Sequence, residues 1–137
     1  MAEIVGQCLC GAVHYRIDAT PVFAAACHCR DCQYVSGGAE SNVLIVPAAA
    51  LRVEGQVRRY ESLADSGARV WRSFCPDCGT PLFAGNADHG EVVAVKAGSL
   101  ADPATFRRQA HIWTGSAPPW HLMEEDLPRF PANPPLG

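Results

Sequence analysis

Cys75-Pro76-Asp77-Cys78-Gly79 places two thiols at the spacing with which a tight turn directs both sulfurs at one metal ion. One pair fills half of a tetrahedral shell, so a structural site needs a second pair from elsewhere in the chain. Cys8-Leu9-Cys10-Gly11 resembles the first stretch and is one residue tighter. Cys10 and Cys78 are each followed directly by glycine, which tolerates the left-handed backbone a turn needs when it folds its own amides back toward sulfur. Cys32 is followed by Gln33 instead. The two glycine-ended turns are therefore expected to face each other around one zinc ion, with Cys8, Cys10, Cys75 and Cys78 as ligands. Such a site would clip together much of a small β domain and supply folding free energy directly.

The other three of the seven cysteines lie in Cys27-His28-Cys29-Arg30-Asp31-Cys32. Three protein ligands plus an open position is the pattern of a catalytic zinc, because the vacant corner admits water or substrate. In an extended segment successive side chains point to opposite faces, so Cys27 and Cys29 converge while His28 looks away. Two other readings stay open: a second structural zinc completed by a distant histidine (His14, His89, His111 or His121), and buried free thiols. The second fits poorly with Arg30 and Asp31 alongside.

The rest of the chain favours β structure. Val13, Tyr15 and Ile17 alternate with His14, Arg16 and Asp18, the period-two signature of a half-buried strand. Further strands are predicted at 41–46, 51–53, 57–60, 69–74, 81–83, 91–96 and 110–113, from β-branched and aromatic residues between turn signals. Glu54-Gly55-Gln56 reads as a hairpin connection. Helical signals are scarce: Asp102-Pro103 can open a short helix to about residue 108, and residues 47–51 can make one turn. The expected fold is mainly β, small antiparallel sheets stapled by the four-cysteine zinc, with few short helices. Residues 1–130 are expected to form one zinc-binding domain and 131–137 a proline-rich tail.

Composition bounds the partners. At 137 residues a single core is feasible, and 48% hydrophobic against 18% charged residues excludes a disordered chain. Net charge is −3 with no basic run, so the footprint of a nucleic-acid binder is missing. The longest apolar run, 43–51, contains Pro47 and is far shorter than the ~20 residues of a membrane span. The first residues do not read as a signal peptide, so a cytoplasmic protein is expected, with its thiols reduced.

The motifs together resemble the glutathione-dependent formaldehyde-activating enzyme family, also called the centromere protein V domain family. The resemblance runs from Gly6-Gln7-Cys8-Leu9-Cys10-Gly11-Ala12-Val13-His14-Tyr15 through Cys27-His28-Cys29-Arg30-Asp31-Cys32-Gln33 to Phe74-Cys75-Pro76-Asp77-Cys78-Gly79-Thr80-Pro81-Leu82-Phe83. Ala97-Gly98-Ser99-Leu100-Ala101-Asp102-Pro103, His111-Ile112-Trp113 and Pro119-Trp120 extend it. It implies an Mss4-like fold, a structural zinc on Cys8, Cys10, Cys75 and Cys78, and a catalytic-type zinc on Cys27, Cys29 and Cys32. The implied activity is formation of S-hydroxymethylglutathione from formaldehyde and glutathione, a carbon–sulfur lyase reaction. Tyr34 departs from the family, which often has a basic residue there.

In that reading a small thiol displaces water from the three-thiolate zinc, loses its proton and adds to the aldehyde carbon. His111 or His121, beside Trp113 and Trp120, would be a proton shuttle; otherwise the tryptophans simply pack with their N–H groups bonded. A glutathione carboxylate would call for Arg30, Arg72 or Lys96. The competing reading is a zinc-binding module without catalysis, acting through protein or small-thiol binding.

Overall fold

The computed structural model describes residues 3–64 and 66–134. Ten strands and one helix follow in the order β1 (Ile4–Gln7), β2 (His14–Ile17), β3 (Phe23–Cys27), α1 (Arg30–Val35), β4 (Ser41–Pro47), β5 (Leu51–Glu54), β6 (Arg58–Leu63), β7 (Arg69–Phe74), β8 (Pro81–Asn86), β9 (Val92–Lys96) and β10 (Ala110–Ile112). They make a three-stranded sheet, β1-β2-β5, and a seven-stranded sheet, β10-β3-β4-β9-β8-β7-β6. Among the described residues these strands pair antiparallel except β10 on β3. The expectation of a mainly β chain holds; the larger sheet is wider than expected and mixed.

Alternation explains how the sheets meet. Tyr15 and Ile17 of β2 are buried while His14 and Arg16 are exposed, and with Val13 they join Leu44, Val46, Leu82, Phe83, Val93 and Val95 of the larger sheet in one core. Tyr15 meets Phe83 edge-on at 5.2 Å between ring centroids, a favoured aromatic geometry. The Ser99 hydroxyl donates to the Lys96 carbonyl at 2.8 Å, so the Tyr15 hydroxyl is the donor in its 2.6 Å bond to Ser99 Oγ. That burial leaves no orphaned phenol in the core.

The strands expected at 41–46 and 91–96 correspond to β4 and β9, and β7 spans 69–74 as expected. Two expectations fail, and three elements had no expectation attached. Glu54-Gly55-Gln56 is not a hairpin: β5 pairs with β2, β6 pairs with β7, and the link carries the chain from one sheet to the other. Gly55 has φ +100°, and a Cβ there would lie 2.2 Å from the Ala12 carbonyl oxygen, so the turn is specific to glycine without being a hairpin turn. Second, Asp102 does cap, its carboxylate accepting from the Ala104 amide at 3.1 Å, but only a 3₁₀ turn, Pro103–Thr105, follows. Arg108 is drawn away to Asn42, Glu40 and Glu124, which ends any helix before it reaches 108. The three elements without an expectation are β1, β3 and α1. The β3 sequence Phe-Ala-Ala-Ala-Cys is buried on both faces beyond its first residue and so shows no alternation.

The C-terminal segment runs beside β10. His111 donates its amide to the Pro128 carbonyl, Phe130 returns one to His111, and Trp113 donates to Ala132. Prolines give up a donor but still accept: the Pro131 carbonyl takes the Gly115 amide at 3.3 Å. Of the expected tail, residues 135–137 lie outside the described residues. No described helix is long and apolar enough to cross a membrane.

Candidate metal centres

The two glycine-ended turns do meet. After β1, the Gly11 amide donates to the Cys8 carbonyl and the Val13 amide to Cys8 Sγ at 3.3 Å. After β7, the Gly79 amide donates to the Cys75 carbonyl and the Asp77 amide to Cys75 Sγ at 3.4 Å. Gly11 and Gly79 have φ of 81° and 78°, the left-handed conformation expected of them. The turns are tied across by Thr80, whose Oγ1 accepts from the Leu9 amide at 3.0 Å and lies 3.1 Å from Cys78 Sγ.

Cys8, Cys10, Cys75 and Cys78 place their sulfurs within 4.8 Å of one another. Cys10 Sγ is 3.7 Å from Cys8 Sγ and 3.8 Å from Cys75 Sγ. A disulfide is about 2 Å long, whereas four sulfurs at about 2.3 Å from a tetrahedral zinc are about 3.8 Å apart; these two separations within the cluster match the second distance. Its proton balance also asks for a cation. Thr80, through side chain and amide, draws the Cys78 thiol down to about 5. The Ala12 amide favours the Cys10 thiolate, but burial and the neighbouring sulfurs carry that thiol up to about 12. Without a metal, adjacent thiolates cannot all be charged at once.

The other trio assembles at the β3–α1 junction. Cys27 ends β3, Cys29 caps α1 with Sγ accepting from the Cys32 amide at 3.3 Å, and Cys32 lies in the first turn. The three sulfurs lie within 4.8 Å of one another, with Cys27 and Cys32 buried and Cys29 partly open. The thiols of Cys27 and Cys32 both stabilise the Cys29 thiolate, which falls to about 2. Cys27 is pushed up by Cys29 and Cys32 and by burial. One thiolate solvated by two thiols is what three crowded sulfurs do alone; a divalent ion allows all three to ionise. All seven cysteines are free.

No histidine joins this trio among the described residues. His14 bonds Glu54 and His89 faces Glu91 at the surface. His28 turns away from the sulfurs, as the alternation requires, and forms a feature the sequence did not signal. His28 Nε2 is 2.9 Å from His111 Nδ1, His28 Nδ1 is 2.8 Å from His121 Nδ1, His121 Nε2 is 2.8 Å from the Gly38 carbonyl, and His111 Nε2 is 2.9 Å from Glu124. These four bonds need four protons, and three neutral imidazoles carry three. All four are filled only when one further proton is bound; with the three rings neutral and Glu124 ionised, one of the four contacts has no proton between its atoms.

His28, Glu40 and His121 also sit close enough to share an ion, but the 2.8 Å between the two ring nitrogens is hydrogen-bond length and Glu40 is bonded by Arg108 at 2.8 Å. Burial first, then His111 and His121, lower the His28 ring to about 4. A base depressed on folding is protonated more readily in the unfolded chain. Stability should therefore be full above about pH 6.5 and decline as pH falls from there toward about 4. Urea titrations across that window measure the decline, and His28→Gln should flatten it while lowering stability at pH 7.5 by about 2 kcal/mol or more through the ring nitrogens it leaves unpaired.

Cations flank the trio. Arg72 reaches Asp31 of α1 at 3.5 Å, and Lys96 is buried with Nζ donating to Ser41 Oγ at 2.8 Å. Arg30 bonds Gln33 and lies over the exposed Tyr34 ring at 5.0 Å. Trp113 Nε1 donates to Asn133 at 2.8 Å, and the exposed Trp120 meets His121 edge-on at 4.7 Å.

No curated protein matches the chain. Among solved structures, a crystal structure of a Rhodobacter sphaeroides protein from structural genomics superposes with a TM-score of 0.58 at 21% identity, covering 74% of this chain and 93% of that one; the likeness is one of fold. The profile of the family described as glutathione-dependent formaldehyde-activating enzyme matches residues 3–116. With both sulfur clusters falling inside that span, the chain belongs to the glutathione-dependent formaldehyde-activating enzyme family.

Proposed function

We propose that the protein binds two zinc ions, one structural on Cys8, Cys10, Cys75 and Cys78, and one on Cys27, Cys29 and Cys32 that activates a small thiol for reversible addition to an aldehyde. The observation that carries this reading is the trio itself: three converging sulfurs, one partly open, with no fourth protein ligand among the described residues. Zinc bound there would keep one position for a substrate sulfur and lower that thiol's pKa. Three thiolates already place one net negative charge on a divalent ion, which weakens it as a Lewis acid and favours sulfur activation over water activation.

The balance is simple: the thiol S–H bond breaks, a sulfur–carbon bond forms at the aldehyde carbon, and the thiol proton ends on the former carbonyl oxygen. In reverse the carbon–sulfur bond is cleaved, the lyase direction. The protein's own residues hold the sulfurs in register: the Cys32 amide bonds Cys29 Sγ, and Gln33 Nε2 donates to the His28 carbonyl at 2.9 Å and the Ser116 carbonyl at 3.1 Å, fixing α1 against its surroundings. Glutathione and formaldehyde are the family's substrates and the first pair to test. Free cysteines in these numbers suit a reducing, cytoplasmic setting.

A specific observation also favours the binding-module reading. Every ring nitrogen of His28, His111 and His121 is already engaged, so neither proposed shuttle has a free nitrogen for substrate. The deciding assay follows formaldehyde consumption with glutathione, cysteine and other small thiols. Acceleration of more than about tenfold over the uncatalysed rate, abolished by chelation, is expected; no acceleration from zinc-replete protein with any thiol leaves the binding module.

A further inference from the structure

Lys96 is 8% exposed, and none of the ion pairs among the described residues includes it. Among the described residues its ammonium donates to the neutral Ser41 hydroxyl. An ammonium group buried this way is costly unless a negative charge lies nearby.

The sheet register supplies that charge. Cys27 lies opposite Ser41 and Val43 lies opposite Lys96. Residues directly opposite share a face, as do residues two apart on a strand, so Cys27, Ser41 and Lys96 project from the same side. Ala94, two before Lys96, lies opposite Ala84, and Ala84 opposite Arg72, which brings Arg72 to that side as well. The other side carries Leu44, Val46, Phe83, Val93 and Val95 into the core. Lys96 and Arg72 therefore stand on the sulfur side, with α1 packed against β4 above them. Arg72 is matched by Asp31; among the described residues no carboxylate pairs with Lys96, and the three sulfurs are the anion-forming groups on its side of the sheet. Burial lowers the Lys96 ammonium, and Cys32, Cys27 and Cys29 act to raise it while Arg72 opposes them.

We propose that Lys96 is the buried counter-cation of the Cys27–Cys29–Cys32 centre, and that its charge selects an anionic sulfur ligand over a neutral one at the open position. The proposal rests on the reading that this trio holds zinc. A divalent ion with three thiolates carries −1, which Lys96 cancels, since Arg72 and Asp31 cancel each other. A fourth, anionic ligand then brings the site to −1. Without Lys96 the same ligand would bring it to −2 in a poorly solvated pocket, whereas a neutral ligand adds no charge and is largely indifferent. Lys96 is in this sense a positioning residue that acts through the metal centre, and it is not available to a substrate carboxylate at the surface.

The test uses the full chain loaded with cobalt(II), whose absorption reports the ligands of each centre. At one fixed pH the second centre is titrated with 2-mercaptoethanol and, separately, with imidazole. In Lys96→Gln, which keeps a polar reach toward Ser41, thiol affinity should fall by about tenfold or more while imidazole affinity changes little. Lys96→Arg should restore most of the thiol preference, which a purely structural role would not require. If Lys96→Gln does not fold, Val43→Glu, which sets a carboxylate opposite Lys96, should produce the same loss. An unchanged thiol-to-imidazole ratio in either folded variant overturns the role of Lys96 alone. A wild-type chain that takes up no second cobalt, or whose second cobalt binds no thiol, overturns the zinc-and-thiol reading and this proposal with it.

Discussion

Replacing Cys75 by serine is expected to abolish the cooperative unfolding transition of the protein. Cys75 is fully buried, and its cluster joins the turn after β1, in the small sheet, to the turn between β7 and β8, in the large one. A metal bridging Cys8 and Cys78 closes most of the chain length between the sheets, so it removes far more freedom from the unfolded ensemble than a local link does. Structural zinc contributes about 10–16 kcal/mol of apparent binding free energy in small zinc domains, and a typical domain has only about 5–15 kcal/mol of net stability. Serine offers a poor ligand for zinc, and the remaining three sulfurs would be left crowded without their cation. Near-ultraviolet circular dichroism through a thermal ramp measures the effect, and prolonged chelation of the wild type should reproduce it. A Cys75→Ser protein that still melts cooperatively within a few degrees of wild type would remove the four-sulfur centre from the list of what holds the fold.

Cys29→Ser should do the opposite: bound zinc falls by one ion per chain, thiol-dependent activity disappears, and the fold persists. The trio spans only Cys27 to Cys32, so a metal there closes a loop of a few residues and restrains the unfolded chain little. Cys29 is also the N-cap of α1, accepting from the Cys32 amide, and serine is among the preferred N-cap residues. The helix start therefore survives the substitution that removes the metal ligand. Metal analysis beside a thermal melt reads both outcomes, with a melting shift of a few degrees at most expected. Collapse of Cys29→Ser would make the trio a second structural site and would withdraw the argument for an open coordination position.

The division of sulfur is legible in the sequence because it is written in local spacing. Glycine directly after Cys10 and Cys78 marks two turns of one kind, and both take the left-handed backbone that such turns need. Alternation in Val13, Tyr15 and Ile17 marked a strand and its buried face, and alternation across Cys27, His28 and Cys29 turned His28 away from the sulfurs. These are properties of neighbours one to three residues apart, and backbone geometry alone enforces them.

Tertiary structure decided what lay beyond that range. Nothing in Phe-Ala-Ala-Ala-Cys announces β3, because a strand covered on both faces has no polar phase to read. The route from β5 to β6 depended on which sheet offered each strand an edge, and the Glu54-Gly55-Gln56 turn looks the same locally in either case. His28, His111 and His121 form their chain, and Lys96 comes to the sulfur side, because β10 pairs with β3 and β9 with β4 between residues far apart in sequence, as Lys96 and Val43 are. Which partners a buried imidazole or ammonium acquires is set by that pairing register, a global solution to burying apolar faces, and a side chain's own neighbours in sequence carry no record of it.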